Sequence, residues 1–191
     1  MRYLSKDERR EEILQAAMRV ALTEGLAAMT VRRIATEAGV ATGQVHHHFA
    51  SAGELKSLAF VRLIRDLLDA EVVGENASWR ERLHAMLGSD DGGFEPYIRL
   101  WREAQILASR DNDVKGAYVL TMEMWHQETV AIIRAGAQAN AFILNDLPEN
   151  IAWRLIGLVC GLDGIYVLNM PEIDDAAFNK HLDKLISLEL F

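Results

Sequence analysis

The residues best suited to chemistry in this chain of 191 residues crowd into the segment 42–48. The amide of Gln44 can form two hydrogen bonds to an adenine edge, and Thr42 can contact a base or a thymine methyl group. His46, His47 and His48 follow, and an unperturbed histidine has a pKa of about 6.5. The segment therefore has the donors, acceptors and titratable groups to bind nucleic acid, although a solvated surface amide is an alternative role for Gln44.

The three consecutive histidines do not predict a metal site. If the segment is helical, successive side chains point about 100° apart, so the three rings cannot all ligate one ion. The chain contains no GxSxG, GxxxxGK or HExxH pattern, and its single cysteine, Cys160, has no cysteine partner. We therefore expect no metal, no cofactor and no enzymatic activity.

Three helices are predicted to position the polar segment. Ser5 opens a capping box, and the helix that it starts ends near Gly25. Thr30 caps a second helix that Gly39 ends, and Thr42–Phe49 form the third. Two short helices joined by a glycine turn are typical of a helix-turn-helix, although an ordinary corner between two helices has the same features.

The sequence from Thr30 to Leu55, TVRRIATEAGVATGQVHHHFASAGEL, resembles the TetR family of transcriptional regulators. The matching positions are Thr30, Ile34, Ala35, Ala38, Gly39, Val40, Gly43, His48, Phe49, Ser51 and Leu55. Segments 97–104, 110–112 and 161–164 are similar to the choline-responsive BetI branch of that family. The resemblance implies a homodimeric repressor that a small-molecule effector releases from a palindromic DNA operator, with activation as the alternative sign of regulation.

Three positions depart from the family pattern. The family often has serine where this chain has Ala41, which has no side-chain acceptor for the first turn of the third helix. It often has lysine where this chain has Ala52, so one phosphate contact is missing. The usual tyrosine of the third helix is His46. These departures predict an unusual, pH-sensitive DNA contact, or a ligand-binding module whose DNA binding is weak or lost.

In a helix-turn-helix the recognition helix reads base edges, and contacts to phosphate set its register. Arg33 either binds phosphate or pairs with Glu37 four residues later. Because histidines that gain a proton beside phosphate strengthen binding, operator affinity is expected to rise from pH 8 to pH 6. The expected DNA-binding residues are Thr30, Arg32, Arg33, Thr42, Gly43, Gln44, His46, His47 and His48.

Six further helices are predicted, at 54–71, 78–87, 95–109, 114–138, 148–168 and 175–188. A glycine-rich loop is predicted at 88–93, and no alternating pattern predicts a strand. The expected fold is therefore all-α with about nine helices. A three-helix DNA-binding head (residues 1–52) precedes a larger ligand-binding and dimerisation body (residues 53–191).

The last two predicted helices are the expected dimer interface, because the family resemblance implies pairing of two long helices from each subunit. Glycines in the first of them permit close approach of backbones, although an internal core helix also needs small residues. The interface candidates are Leu155, Gly157, Val159, Gly161, Leu162, Gly164, Phe178, Leu182 and Leu185.

The body is also expected to hold an effector cavity, as the resemblance implies. Most of its aromatic and methionine residues are core, but an apolar cavity with a few convergent polar groups is what ligand binding requires. Aromatic faces with a carboxylate would favour a cation. The candidates are Tyr97, Trp101, Glu103, Tyr118, Met122, Glu123, Trp125, His126, Asp163 and Tyr166.

Composition agrees with a small DNA-binding part and a larger acidic part. Residues 1–60 contain 8 Lys and Arg against 7 Asp and Glu, whereas the rest contain 12 against 21. The net charge of −8 argues against indiscriminate coating of nucleic acid or of an anionic membrane. With one cysteine, no signal-like N-terminus and no apolar run of bilayer length, the expected compartment is the cytoplasm.

Overall fold

The computed structural model describes residues 5–70, 73–88 and 93–191. Within these ranges the chain forms nine α-helices and no strand, which confirms the all-α prediction. The predicted end of the fourth helix at Glu71 and the loop residues 89–92 lie outside the described residues. The helices are α1 (Lys6–Glu24), α2 (Val31–Ala38), α3 (Thr42–His48), α4 (Ala52–Leu68), α5 (Trp79–Met86), α6 (Glu95–Leu107), α7 (Asn112–Gln138), α8 (Pro148–Tyr166) and α9 (Asp175–Leu190).

Local capping explains where the helices of the head begin. Ser5 and Glu8 form both bonds of the predicted capping box at α1, and the Thr30 hydroxyl accepts from the Arg33 amide at 3.2 Å at α2. Helix α4 begins at residue 52 rather than 54. The reason is that the Ser51 hydroxyl accepts from the Glu54 amide at 2.9 Å and so starts the helix two residues earlier than predicted.

The described chain divides into two compact units. The first unit comprises the described residues of 1–69 and 92–122, and the second comprises those of 70–91 and 123–191. In the first unit α6 packs on both α1 and α4, so the packing of the head extends well beyond residue 52. The functional division into residues 1–52 and 53–191 remains a prediction.

The core of the first unit is formed by the buried stripe of α1 and by side chains from α2, α3, α4 and α6. Ile13, Ala17 and Ala21 of α1 are fully buried. The small side chains of Ala17 and Ala21 allow the neighbouring helices to approach closely. Leu55 and Ile64 of α4 are equally buried. This core holds α2 and α3 in a fixed relation to α1.

In the second unit α8 packs against α9. Arg154 of α8 bonds to Asp146 at 2.8 Å and to Glu189 of α9 at 2.6 Å, and the pKa of Asp146 is lowered to about 2 by its bonds to Arg154 and Asn150. None of the described helices combines the length and the apolar character that crossing a membrane requires.

Candidate nucleic-acid interface

Helix α3 is fixed by two inward side chains and presents most of its other residues to solvent. Val45 and Phe49 lie four positions apart and are both buried in the core of the first unit. Five other residues of the helix are exposed to solvent: Thr42, Gly43, Gln44, His46 and His47. An exposed helix face that carries amide, hydroxyl and imidazole groups on a rigid anchor can enter a groove of DNA.

The turn between α2 and α3 is set by Gly39. This residue has φ 66° and ψ 32°, the left-handed conformation that glycine adopts without strain. The Val40 amide then donates to the Ala35 carbonyl at 3.0 Å, which closes the turn. The tight glycine turn between two short helices is the predicted helix-turn-helix geometry.

Ala41 occupies the cap position of α3 and provides no side-chain hydrogen bond. Its carbonyl still accepts from the Gln44 amide at 2.9 Å, so the helix begins there without a polar cap. The missing cap that the sequence predicted is thus confirmed. An alanine cap typically costs about 1 kcal/mol relative to serine, which leaves α3 dependent on Val45 and Phe49 for its position.

The two arginines of α2 have different environments. The Arg33 guanidinium donates to Glu24 at 2.6 Å and to Glu37 at 3.0 Å, so the predicted pairing with Glu37 is present and a second carboxylate joins it. These bonds raise the pKa of Arg33, with Glu24 contributing most. Arg32 is exposed. Of the two, Arg32 is the side chain that can reach a phosphate without breaking an ion pair.

His48 lies at the end of α3 among positive charges. Its ring meets that of His47 edge-on at 5.2 Å, and its Nδ1 is buried without a hydrogen-bond partner among the described residues. Burial lowers the pKa of His48 from its ordinary value of 6.5, and the charges of His47, Lys6, Arg9 and Arg10 lower it further. Burial and the neighbouring cations therefore both favour the neutral form of the ring in the free protein.

We predict that DNA binding takes up protons at the end of α3. A phosphate near His48 would oppose the surrounding cations and raise its pKa again, so binding should strengthen as pH falls from 8 to 6. The logarithm of the operator association constant should then rise by up to about one per pH unit for each histidine that titrates in a protomer. Fluorescence anisotropy with labelled operator at several pH values measures this slope.

The matched control is His181→Gln, since His181 is an exposed histidine of α9 in the second unit. His48→Gln should flatten the slope, whereas His181→Gln should leave it unchanged. A wild-type affinity that stays flat between pH 8 and pH 6 would contradict the prediction. Because the lowered pKa of His48 also makes folding less favourable as pH falls below about 6.5, a thermal melt at each pH must accompany the titration.

One face of α1 is unsuited to DNA. An open groove of about 630 Å³ is lined by Glu8, Glu11, Glu12, Gln15, Arg19, Glu37 and Ala38. Four carboxylates would repel phosphate at this surface. We therefore expect DNA to lie against α3 and not against the acidic face of α1.

Glu103, an effector-site candidate, instead bonds to the loop between α1 and α2. Its carboxylate accepts from the Leu26 amide at 2.6 Å and lies so close to Gly25 that a side chain there would displace it. Gly25 has φ 88°, which also favours glycine. Arg99, one turn earlier on α6, donates to the Leu22 carbonyl at 2.6 Å. Sequence analysis missed this role because the bonded residues are 77 positions apart.

The other effector-site candidates fall into two groups. Tyr97, Trp101, Tyr118 and Met122 are half-buried in the first unit, where the three aromatics pack against its core. In the second unit, Trp125 is buried and donates to the Met86 carbonyl at 2.8 Å. His126 stacks on Trp153 with ring centroids 4.2 Å apart. Glu123 and Tyr166 are exposed, and Asp163 is half-buried.

The interface candidates on α8 and α9 divide by burial. Leu155, Val159, Leu162 and Leu182 are buried within the second unit. Phe178 and Leu185 are half-buried. The exposed face of α8 runs through Trp153, Gly157, Gly161, Gly164 and Ile165, and Trp153, which sequence analysis did not place there, is 46% exposed.

Comparison with known proteins agrees with this architecture. Residues 13–55 match the family model of bacterial regulatory proteins of the tetR family. The transcriptional repressor KstR2 of Mycobacterium tuberculosis is 30% identical over 162 residues, which cover 78% of this chain and 76% of that protein. The transcriptional regulator BetI of Brucella suis is 27% identical over 166 residues, which cover 83% and 78%.

Solved structures share the fold over nearly the whole chain. A TetR-family transcriptional regulator from Rhodococcus sp. has a TM-score of 0.76 at 24% identity, covering 97% of this chain and 100% of that one. A transcriptional regulator from Saccharomonospora viridis, solved in complex with choline, has a TM-score of 0.73 at 23% identity, covering 96% and 98%. With KstR2 30% identical over more than three quarters of both chains, this chain belongs to the TetR family of DNA-binding transcriptional regulators.

Proposed function

We propose that the protein is a homodimeric repressor that binds a palindromic operator through α3 and leaves it when a small-molecule effector binds. The observation that carries the proposal is the surface of α3, where Val45 and Phe49 anchor the helix and Thr42, Gly43, Gln44, His46 and His47 are exposed. Repression is favoured over activation because the relative KstR2 is named a repressor.

The proposed DNA contacts follow from exposure and bonding. Gln44 and Thr42 read base edges. Thr30 bonds phosphate at the N-terminus of α2, since its hydroxyl can donate while its oxygen accepts from the Arg33 amide. Arg32 adds a phosphate contact, whereas Arg33 connects α2 to α1 through Glu24.

A dimer is required because a palindrome is read by two recognition helices related by a two-fold axis. The proposed interface is the exposed face of α8 that carries Trp153, Gly157, Gly161 and Gly164. These residues recur at steps of three and four, so they share one side of the helix, and the glycines let the partner's backbone approach closely. The large indole of Trp153 supplies an apolar anchor at one end of the stripe.

The proposed effector is a small organic molecule, and a cation suits the acidic part of the chain best. Residues 61–191 hold nine more acidic than basic side chains, and aromatic faces attract organic cations. The choline complex of the Saccharomonospora viridis regulator is consistent with such a ligand class. Tyr97 and Trp101 alternate along α6 with Arg99 and Glu103. Arg99 donates to the Leu22 carbonyl in the last turn of α1, and Glu103 accepts from the Leu26 amide in the loop that follows.

This arrangement suggests how an effector changes DNA binding. A ligand that displaces Tyr97 or Trp101 moves α6, whose Arg99 bonds the last turn of α1 and whose Glu103 bonds the loop that follows it. Helix α4 gives a second connection, since it packs on both α1 and α6. A tenfold loss of operator affinity needs only about 1.4 kcal/mol of coupling, so a small shift of α6 is sufficient.

The test is a selection of bound sequences from random duplex DNA by the purified protein. The expected result is one palindromic motif with two half-sites about one helical turn or more apart. Recovery of no motif above background, by protein from which bound small molecules have been removed, would overturn the proposal and favour a ligand-binding module without DNA binding.

A further inference from the structure

We propose that Arg10 of α1 is a phosphate contact of the DNA interface, so that the interface extends from α3 onto the N-terminal turns of α1. The inference rests on the proposed function and adds a residue, and a helix, that the family pattern of residues 30–55 does not contain. The Arg10 guanidinium lies at the turn between α3 and α4.

Two contacts place Arg10 at that turn. Its guanidinium carbon lies 4.6 Å from the ring centroid of Phe49, and its Nη2 lies 3.9 Å from Glu54 Oε1. Phe49 ends α3, and Glu54 lies in the first turn of α4. The aromatic face fixes the flat guanidinium through a cation–π contact, which reduces the entropy lost when the group binds a further partner.

Helical geometry separates Arg10 from the acidic groove. At about 100° per residue, Lys6 and Arg10 lie about 40° apart on one side of α1, and Glu8, Glu11 and Glu12 lie about 100–160° from them. That side continues the buried stripe of Ile13 and Ala17. The N-terminal end of α1 therefore passes the α3–α4 turn with cations facing it and carboxylates facing away.

The charges near the end of α3 make this turn an anion site and not only a packing contact. Lys6, Arg9 and Arg10 all act on His48, although Arg9 is also paired with Glu12 at 2.8 Å. The Glu54 carboxylate accepts from the Ala50 amide at 2.6 Å, and at 3.9 Å it is only a weak partner for Arg10. The Arg10 side chain stays 39% exposed, so its outer N–H groups can reach a phosphate beside the recognition helix.

The decisive measurement is the salt dependence of DNA binding. Each phosphate contact contributes a slope of about 0.9 to the fall of log K with log salt, so losing one contact per protomer should reduce the slope by about 2 for a dimer. At 0.1 M salt the same loss corresponds to roughly sixtyfold weaker binding. We expect both changes in Arg10→Gln, measured by anisotropy on the operator obtained by selection.

Two variants separate charge from packing. Arg62→Gln removes an exposed arginine of α4 that pairs with Asp66, and it should keep the wild-type slope. Arg10→Lys keeps the charge, loses the planar stack on Phe49, and should keep most of the slope. Melting temperatures of all variants show whether the head remains folded.

Each outcome decides between the two proposals. If the wild-type protein binds the operator and Arg10→Gln keeps the wild-type slope, the assignment of Arg10 is wrong while the proposed function stands. If Arg10→Lys loses as much slope as Arg10→Gln in a folded protein, the arginine acts through Phe49 and not through phosphate, which also overturns the assignment. If the wild-type protein binds no DNA, the proposed function itself is wrong.

Discussion

Replacing Gln44 by alanine is expected to cause the largest loss of operator affinity of any substitution on α3. Gln44 is exposed, lies in the first turn of the helix, and carries the amide that can bond to both edge groups of an adenine. One such pair contributes about 1–3 kcal/mol of discrimination, which is roughly 5- to 150-fold per half-site and the square of that on a palindrome. Anisotropy titration with the selected operator gives the affinity.

The loss should depend on sequence, and this separates base reading from general damage. Gln44→Ala should bind non-specific duplex DNA as the wild type does, because phosphate contacts carry no sequence information. It should also tolerate a change at one base pair of each half-site that the wild type rejects. Gln105→Ala, which removes an exposed amide of α6, is the control and should change neither affinity. Equal weakening on operator and non-specific DNA would contradict a reading role.

Replacing Gly161 by arginine is expected to convert the dimer to a monomer and to reduce operator affinity by about 10²- to 10⁴-fold. Gly161 is exposed in the middle of the α8 face, and a Cβ added there has no atom of the protomer within 4 Å outside its own turn of the helix. In a dimer the arginine would instead separate the two copies of α8. Affinity falls because a monomer lacks a second recognition helix held near the second half-site once the first half-site is bound.

The protomer itself should remain folded. Arginine is favoured over glycine inside a helix by roughly 1 kcal/mol, so the melting transition of the monomer should not show a weakened α8. Gly116→Arg makes the same change at an exposed glycine of α7 that also has open space around it, and it should stay dimeric. Sedimentation equilibrium decides: a Gly161→Arg protein that sediments as a dimer means that the interface lies elsewhere.

The sequence by itself determined the elements whose signals are local. Ser5, Thr30 and Ser78 predicted three helix starts, and each bonds an amide three residues later as expected. Gly39 predicted the turn before α3, and it adopts the left-handed conformation there. Caps and glycine turns depend on atoms within about four residues of one another, so their chemistry is already present in the order of the residues.

Other features were decided only by the tertiary structure. Glu103 was a reasonable effector-site carboxylate in the sequence, but the fold brings it to the Leu26 amide, 77 residues away. Leu155 and Val159 fitted an interface helix, yet packing turned them inward and left Trp153 and Gly161 outside. Arg10 and Phe49 meet because α1 passes the end of α3. Periodicity shows that a helix has an apolar side, but only the packing of its neighbours decides what covers that side and which polar groups meet across long separations.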